Sequence, residues 1–206
     1  ELYRAHYSKR PDLRADDGRD IKATLGVVDS LLSLTTDARE GVTHIAVAFD
    51  NPIRSFRNDL FDGYKSDEGV PEELRSQFDV VEHAVRALGI CVWSMDKFEA
   101  DDALATGAAK YRDVCEQVRI LTPDKDLGQC LVEGRVVQID RIRDREITAA
   151  SFEQARGIAP HLMPDFLALV GDTADGIPGL KGFGEKGTAA LLKRYGPLEH
   201  VPLDSW

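Results

Sequence analysis

Cysteine is scarce in this 206-residue chain: Cys91, Cys115 and Cys130 are the only three, and no CxxC spacing occurs among them. An odd, unpatterned set excludes a disulfide framework and a zinc knuckle, and free buried thiols are the expectation. Long apolar runs are missing as well. Nothing approaches the roughly 20 consecutive apolar residues that a membrane-spanning helix needs. The opening Glu1-Leu2-Tyr3-Arg4 has no signal-peptide layout, so an intracellular, cytoplasmic monomer with no membrane partner is expected. Basic residues are in deficit, 26 Lys and Arg against 36 Asp and Glu, for a net charge of −10. Such a deficit ordinarily argues against a polyanionic partner. The argument loses force if the acids are concentrated: eight carboxylates in one cation site would account for most of the imbalance, and two divalent ions would offset it locally.

What is present is enough apolar residue, 43% of the chain, for one substantial core and a small accessory lobe. Thr43-His44-Ile45-Ala46-Val47-Ala48-Phe49-Asp50 is a short apolar run ending in an acid, the pattern of a buried parallel strand. Residues 89–93, 118–122 and 136–140 are similar β-rich runs, and the stretches between them predict helices near 20–34, 71–88 and 100–113. Alternating strands and helices imply an α/β fold with a mainly parallel central sheet, whose ligands bind at the carboxyl ends of the strands. From about 147 the pattern turns to helices only, at 148–156, 163–170 and 184–195. The expected division is therefore an α/β core over 1–146, with a mobile excursion at 52–70, and a helical lobe over 147–206.

Eight acids fall at predicted strand ends or helix starts: Asp50; Glu99, Asp101 and Asp102; Asp124 and Asp126; Asp172 and Asp175. Oxygen donors without nearby His or Cys suit Mg²⁺ or Mn²⁺ rather than zinc. Two such ions about 4 Å apart can activate water, clamp a scissile phosphate and stabilise the leaving oxygen. Taken singly, each group has an ordinary explanation. Asp101 and Asp102 suit the first turn of a helix, Asp124 and Asp126 suit a turn, and Asp172 suits a helix cap. Those explanations leave unaddressed why every group follows an apolar segment ending on the same sheet edge.

Gly176-Ile177-Pro178-Gly179-Leu180-Lys181-Gly182-Phe183-Gly184-Glu185-Lys186 reads as a tight hairpin between two helices. Gly179, Gly182 and Gly184 allow close backbone approach to a phosphate, the following helix offers N-terminal amides, and Lys181 and Lys186 add positive charge. This suits gripping a duplex backbone irrespective of sequence, although a plain turn between packed helices has the same composition.

Phe98-Glu99-Ala100-Asp101-Asp102, Leu121-Thr122-Pro123-Asp124-Lys125-Asp126 and Gly171-Asp172-Thr173-Ala174-Asp175-Gly176-Ile177-Pro178-Gly179 resemble the EADD, TxDKD and GDxxDNxPG signatures of one family. Tyr3-Arg4, Val47-Ala48-Phe49-Asp50, Ser55-Phe56-Arg57 and Tyr64-Lys65 are similar to its other marked steps. The family is that of the 5′-nuclease domain of bacterial DNA polymerase I and the stand-alone flap endonucleases, and the resemblance runs over nearly the whole chain. It implies a PIN-like core with a helix-hairpin-helix lobe. The eight acids would be ligands, or partners of ligands, of two Mg²⁺ or Mn²⁺. Arg4, Arg57 and Lys65 would meet phosphate near the cut, and Tyr64 would stack on an unpaired base. The hairpin, at Gly179, Lys181, Gly182, Gly184 and Lys186, would hold duplex DNA, often with a K⁺ on its carbonyls.

The resemblance thus implies a structure-specific 5′-flap endonuclease and 5′→3′ exonuclease acting on flapped, nicked or 5′-ended DNA. A non-catalytic junction-binding module and a ribonuclease using the same site are the other readings. Departures from the family's pattern are local. Its first strand carries an aspartate ahead of the tyrosine-arginine step, expected upstream of Glu1. Ser66-Asp67-Glu68 stands where an arginine is common, and Gly176 where asparagine is usual.

Overall fold

A computed structural model describes residues 2–64 and 68–202. They form two compact units, one of residues 1–60 and 66–103 and the other of residues 61–65 and 104–206.

The first unit holds α1 (Leu2–His6), α2 (Lys22–Thr36), β1 (Ala46–Asp50), α3 (Arg57–Leu60), α4 (Glu72–Arg75), α5 (Phe78–Ala87) and β2 (Cys91–Met95). Strands β1 and β2 are parallel, in a register that sets Ala46 beside Cys91 and Asp50 beside Met95. Their apolar residues Val47, Phe49 and Val92 pack with Val27 of α2 and with Val81 and Val85 of α5, so the helices cover the ladder as a βαβ layer requires. The predicted 71–88 helix is two helices. Gln77, wholly buried, gives its side-chain Nε2 to the Glu73 carbonyl at 2.9 Å while its own amide turns to the Leu74 carbonyl at 3.1 Å. That side chain takes the acceptor which a continuous helix would have used, and its Oε1 accepts from the Thr24 amide at 3.0 Å.

Helix α6 (Ala100–Tyr111) starts where the first unit ends. The second unit continues with β3 (Val118–Leu121), a 3₁₀ turn at Lys125–Cys130, β4 (Val136–Asp140), β5 (Arg145–Ile147), α7 (Ala149–Arg156), α8 (Met163–Val170), β6 (Gly171–Asp172), β7 (Ile177–Pro178) and α9 (Glu185–Tyr195). Strands β3 and β4 are parallel, and β5 adds antiparallel to β4. Ile120, Leu127, Val136 and Ala108 form the core behind this ladder. A separate helical core gathers Phe152, Ile158, Leu162, Met163, Phe166 and Leu192.

The α/β class holds, with the parallel pairs where the apolar runs predicted them. Four details differ. Strand β5 is short and alternates poorly, so its sequence carries little strand signal. The stretch after 147 is not purely helical, because Gly171 pairs with Pro178 and Asp172 with Ile177 in a two-residue antiparallel ladder. Of the 52–70 segment, α3 is helical, whereas Lys65, Ser66 and Asp67 lie outside the described residues. The thiols are free but not buried: Cys91, first in an outer strand, is exposed, and Cys115 and Cys130 are half-buried.

Candidate active site

The first unit gathers four predicted acids around the start of α6. Asp50, last in β1, accepts the Ala100 amide at 2.6 Å. Glu99 is buried and accepts the Ser55 hydroxyl at 2.7 Å. Asp102 reaches back to the Glu99 amide at 2.9 Å, which is half of a capping box. The ordinary helix-start explanation is therefore correct for Asp102 but incomplete, since both its oxygens also receive the Arg57 guanidinium at 2.8 and 2.7 Å. Arg57 Nη1 lies 3.7 Å from Glu99. Asp101, half-buried, shares the first turn. Arg4 lies exposed on α1.

The second unit gathers the other acids. Asp124 caps the 3₁₀ turn, its side chain accepting the Asp126 amide at 2.9 Å. The turn is fixed from below by Gln138, whose Nε2 donates to the Thr122 carbonyl at 2.9 Å and the Asp124 carbonyl at 2.6 Å. Asp172, buried in β6, accepts the Ala174 amide at 2.8 Å and lies 3.5 Å from Lys125 Nζ. Asp126 Oδ1 is buried without a hydrogen-bond partner. Burial first, and then the charge of Asp124 and the approach of Asp172, push the Asp126 carboxyl up to about 6. Burial opposes ionisation of Asp172 too, but the Ala174 amide, the Lys125 ammonium and Asp126 together hold it below the usual carboxylate range. Of this crowded pair, Asp126 is the member that keeps its proton to the higher pH.

Asp175 accepts the Tyr64 hydroxyl at 3.3 Å. Tyr64 itself is only 7% exposed, so little of the ring that is expected to stack on a base is open in this structure. Gly176, at φ +75°, replaces the asparagine of the signature for a local reason: a Cβ there would stand 2.3 Å from the Gly63 carbonyl oxygen. The hairpin is as expected, α8 and α9 flanking a turn that leaves Gly179, Lys181, Gly182, Gly184 and Lys186 exposed. Lys65 lies outside the described residues.

Two supporting residues escaped the sequence reading. Ser55 was marked only as part of the Ser55-Phe56-Arg57 step, with no sign of its bond to Glu99. Gln138 did give one, being a lone amide inside the apolar run Val136-Val137-Gln138-Ile139.

Acids at the carboxyl ends of parallel strands, with a glycine-rich hairpin between helices, define the 5′-nuclease class of fold. The chain belongs to the 5′-3′ exonuclease family: residues 1–157 match its N-terminal resolvase-like domain and residues 158–204 its C-terminal SAM fold. DNA polymerase I of Rhizobium leguminosarum is 38% identical over 204 residues, which are 96% of this chain and 20% of the polymerase. A 5′-3′ exonuclease of Aquifex aeolicus is 33% identical over 206 residues, all of this chain and 70% of that protein. The chain thus spans about a fifth of the polymerase and most of the exonuclease. In fold it is similar to a bacteriophage T5 flap endonuclease solved as a pseudo-enzyme–product complex with DNA and metal ions, with a TM-score of 0.70 at 18% identity over 96% of this chain and 72% of that one. The T5 protein co-crystallised with metal ions gives a TM-score of 0.70 at 18% identity over 86% of this chain and 70% of that one.

Proposed function

We propose that the chain is the hydrolytic part of a divalent-metal 5′-nuclease that cuts DNA phosphodiesters at 5′ flaps and 5′ ends. The observation that carries this reading is the buried Asp126 oxygen without a partner, crowded by Asp124 and Asp172, an arrangement that fits a hard cation. Among the described residues no three acidic, His or Cys side chains are set to hold one ion by themselves. That donor set suits Mg²⁺ or Mn²⁺, which take one or two carboxylates and complete their shell with water and substrate phosphate. The similar phage proteins solved with metal ions and DNA support the same reading.

In this reading Asp50, Glu99, Asp101 and Asp102 of the first unit, and Asp124, Asp126, Asp172 and Asp175 of the second, are ligands, or partners of ligands, of divalent ions. Bound there, the ions supply an acidified water and a clamp on the phosphate. The chain's own groups orient these acids: Ser55 holds Glu99, Gln138 holds the Asp124 turn, and Arg57 and Lys125 neutralise Asp102 and Asp172 until substrate arrives. Arg4, Arg57 and Lys65 meet substrate phosphates. The hairpin residues Gly179, Lys181, Gly182, Gly184 and Lys186 grip duplex backbone, with K⁺ on the carbonyls. The protein acts as a cytoplasmic monomer.

The test is incubation of the full-length protein with a labelled 5′-flap duplex in Mg²⁺ or Mn²⁺. Short 5′ fragments are expected, lost in the double substitution Asp124→Asn with Asp126→Asn. Absence of cleavage with either metal, or cleavage undiminished in the double variant, overturns the proposal. Tight flap binding without turnover would identify a junction-binding module instead.

A further inference from the structure

Phe98 stands immediately before buried Glu99, yet it is 51% exposed. A large aromatic beside a polar, acid-lined surface loses apolar burial, and its neighbours show that it is held there. The Phe98 ring meets the Phe56 ring edge to face, with centroids 5.5 Å apart and planes at 62°. Such a pair covers at most one ring face, so a face of half-exposed Phe98 remains open. The two are locked by backbone: the Phe56 amide donates to the Lys97 carbonyl at 2.9 Å. Phe56 is further held by the Arg57 guanidinium, 4.8 Å from its ring centroid, and the same guanidinium is forked onto Asp102. Lys97, next in sequence, is exposed. An exposed aromatic ring, with exposed Lys97 next to it in sequence and its partner ring carrying Arg57, combines the two features that bind single strands, a π surface and positive charge.

We propose that Phe98, braced by Phe56, is a stacking platform for an unpaired nucleobase of the substrate, next to the acids at the start of α6. The inference rests on the nuclease reading and sharpens its substrate class: the single-stranded side of the junction is gripped through a base, not only through phosphate. Because every base has a π face, the contact carries no sequence preference.

The experiment compares wild type with Phe98→Leu, which keeps apolar bulk without a π face, and with Phe98→Trp, which keeps the face. Probes are 5′-flap duplexes carrying 2-aminopurine at successive unpaired positions, a second set with an abasic site at each, and Ca²⁺ to permit binding without turnover. Expected are quenching of one 2-aminopurine position by wild type and Phe98→Trp but not by Phe98→Leu, and roughly tenfold weaker flap binding by Phe98→Leu. The abasic substrate should weaken wild type by a similar factor and Phe98→Leu no further. Unchanged melting of Phe98→Leu establishes that the fold is intact. If wild type cleaves flaps but Phe98→Leu binds and quenches as wild type does, the platform is wrong and the nuclease reading stands. If wild type neither binds nor cleaves, the nuclease reading itself falls.

Discussion

Gln138 holds Asp124 from the next strand: the amide nitrogen of a fully buried side chain in β4 lies 2.6 Å from the Asp124 carbonyl and 2.9 Å from that of Thr122. The turn that presents Asp124 and Asp126 is therefore anchored to the sheet and not merely tethered by its ends. Replacing Gln138 by Leu keeps the volume but takes the donor from two part-buried carbonyls. A loss of about 2 kcal/mol in urea unfolding is expected. Turnover should fall more than flap binding, since the binding hairpin does not depend on this turn. Activity at the wild-type level in a destabilised Gln138→Leu protein would show that the anchor serves folding alone.

Arg57 and Asp102 form a two-pronged pair at 2.8 and 2.7 Å, with side chains about one-third exposed. Such a pair contributes only about 1 kcal/mol to stability. Its importance lies in competition, because a guanidinium occupying both Asp102 oxygens must yield them to a cation. Arg57→Ala should bind Mn²⁺ more tightly, read by calorimetry without DNA, yet cleave flaps at least tenfold more slowly through the lost phosphate contact. Arg57→Lys should recover little, as an ammonium cannot fork. Weaker Mn²⁺ binding by Arg57→Ala would contradict the competition.

The parallel strands and the acid that ends β1 were legible because short, nearly continuous apolar runs bounded by turn and helix signals leave few alternatives. The EADD-like segment at the start of α6 was legible in the same way. What escaped were features set by tertiary context. The break at Gln77 depends on a side chain reaching Thr24 of α2, which local propensity cannot anticipate. Tyr64 is buried with its hydroxyl bonded to Asp175, 111 residues away. Between β4 and β5, Arg143 and Arg145 both close on Asp140, a buried acid that ends an apolar strand as Asp50 does but serves as a turn anchor. The acid-after-strand rule thus identifies candidates, and only the partners tell a metal ligand from an ion-pair anchor.

The raised Asp126 carboxyl has a testable sign. Its folded value of about 6 exceeds its unfolded value, so the neutral form favours folding. That contribution is complete below about pH 4 and is lost as pH rises through 6. The metal-free protein should therefore show a falling contribution from this group between pH 4 and 7, absent in Asp126→Asn. Above pH 6 the carboxylate is charged, crowded by Asp124 and Asp172, and able to take a cation. Melting with and without Mn²⁺ should show a larger metal-induced rise at pH 7.5 than at pH 5. An equal rise at both values would exclude Asp126 as the group that links proton to metal.

The hairpin glycines divide into two kinds, and substitution should separate them. A Cβ at Gly179 would stand 2.0 Å from the Val170 carbonyl oxygen, and one at Gly171 would stand 2.3 Å from the Gly179 amide nitrogen. Both backbones meet where β6 crosses β7, so Gly179→Ala forces the chains apart. A loss of about 3 kcal/mol is expected, enough to disorder the turn. At Gly184 nothing lies within 4 Å of a Cβ, and the backbone, at φ −96°, is open to any residue. Gly184→Ala should cost below about 1 kcal/mol. It nonetheless places a methyl group at the N-cap of α9, where a phosphate would approach the helix amides. Duplex affinity should drop severalfold at low salt in Gly184→Ala, with melting nearly unchanged. Wild-type affinity in that variant would show that the duplex backbone does not come this close, and would shift the grip to Lys181 and Lys186.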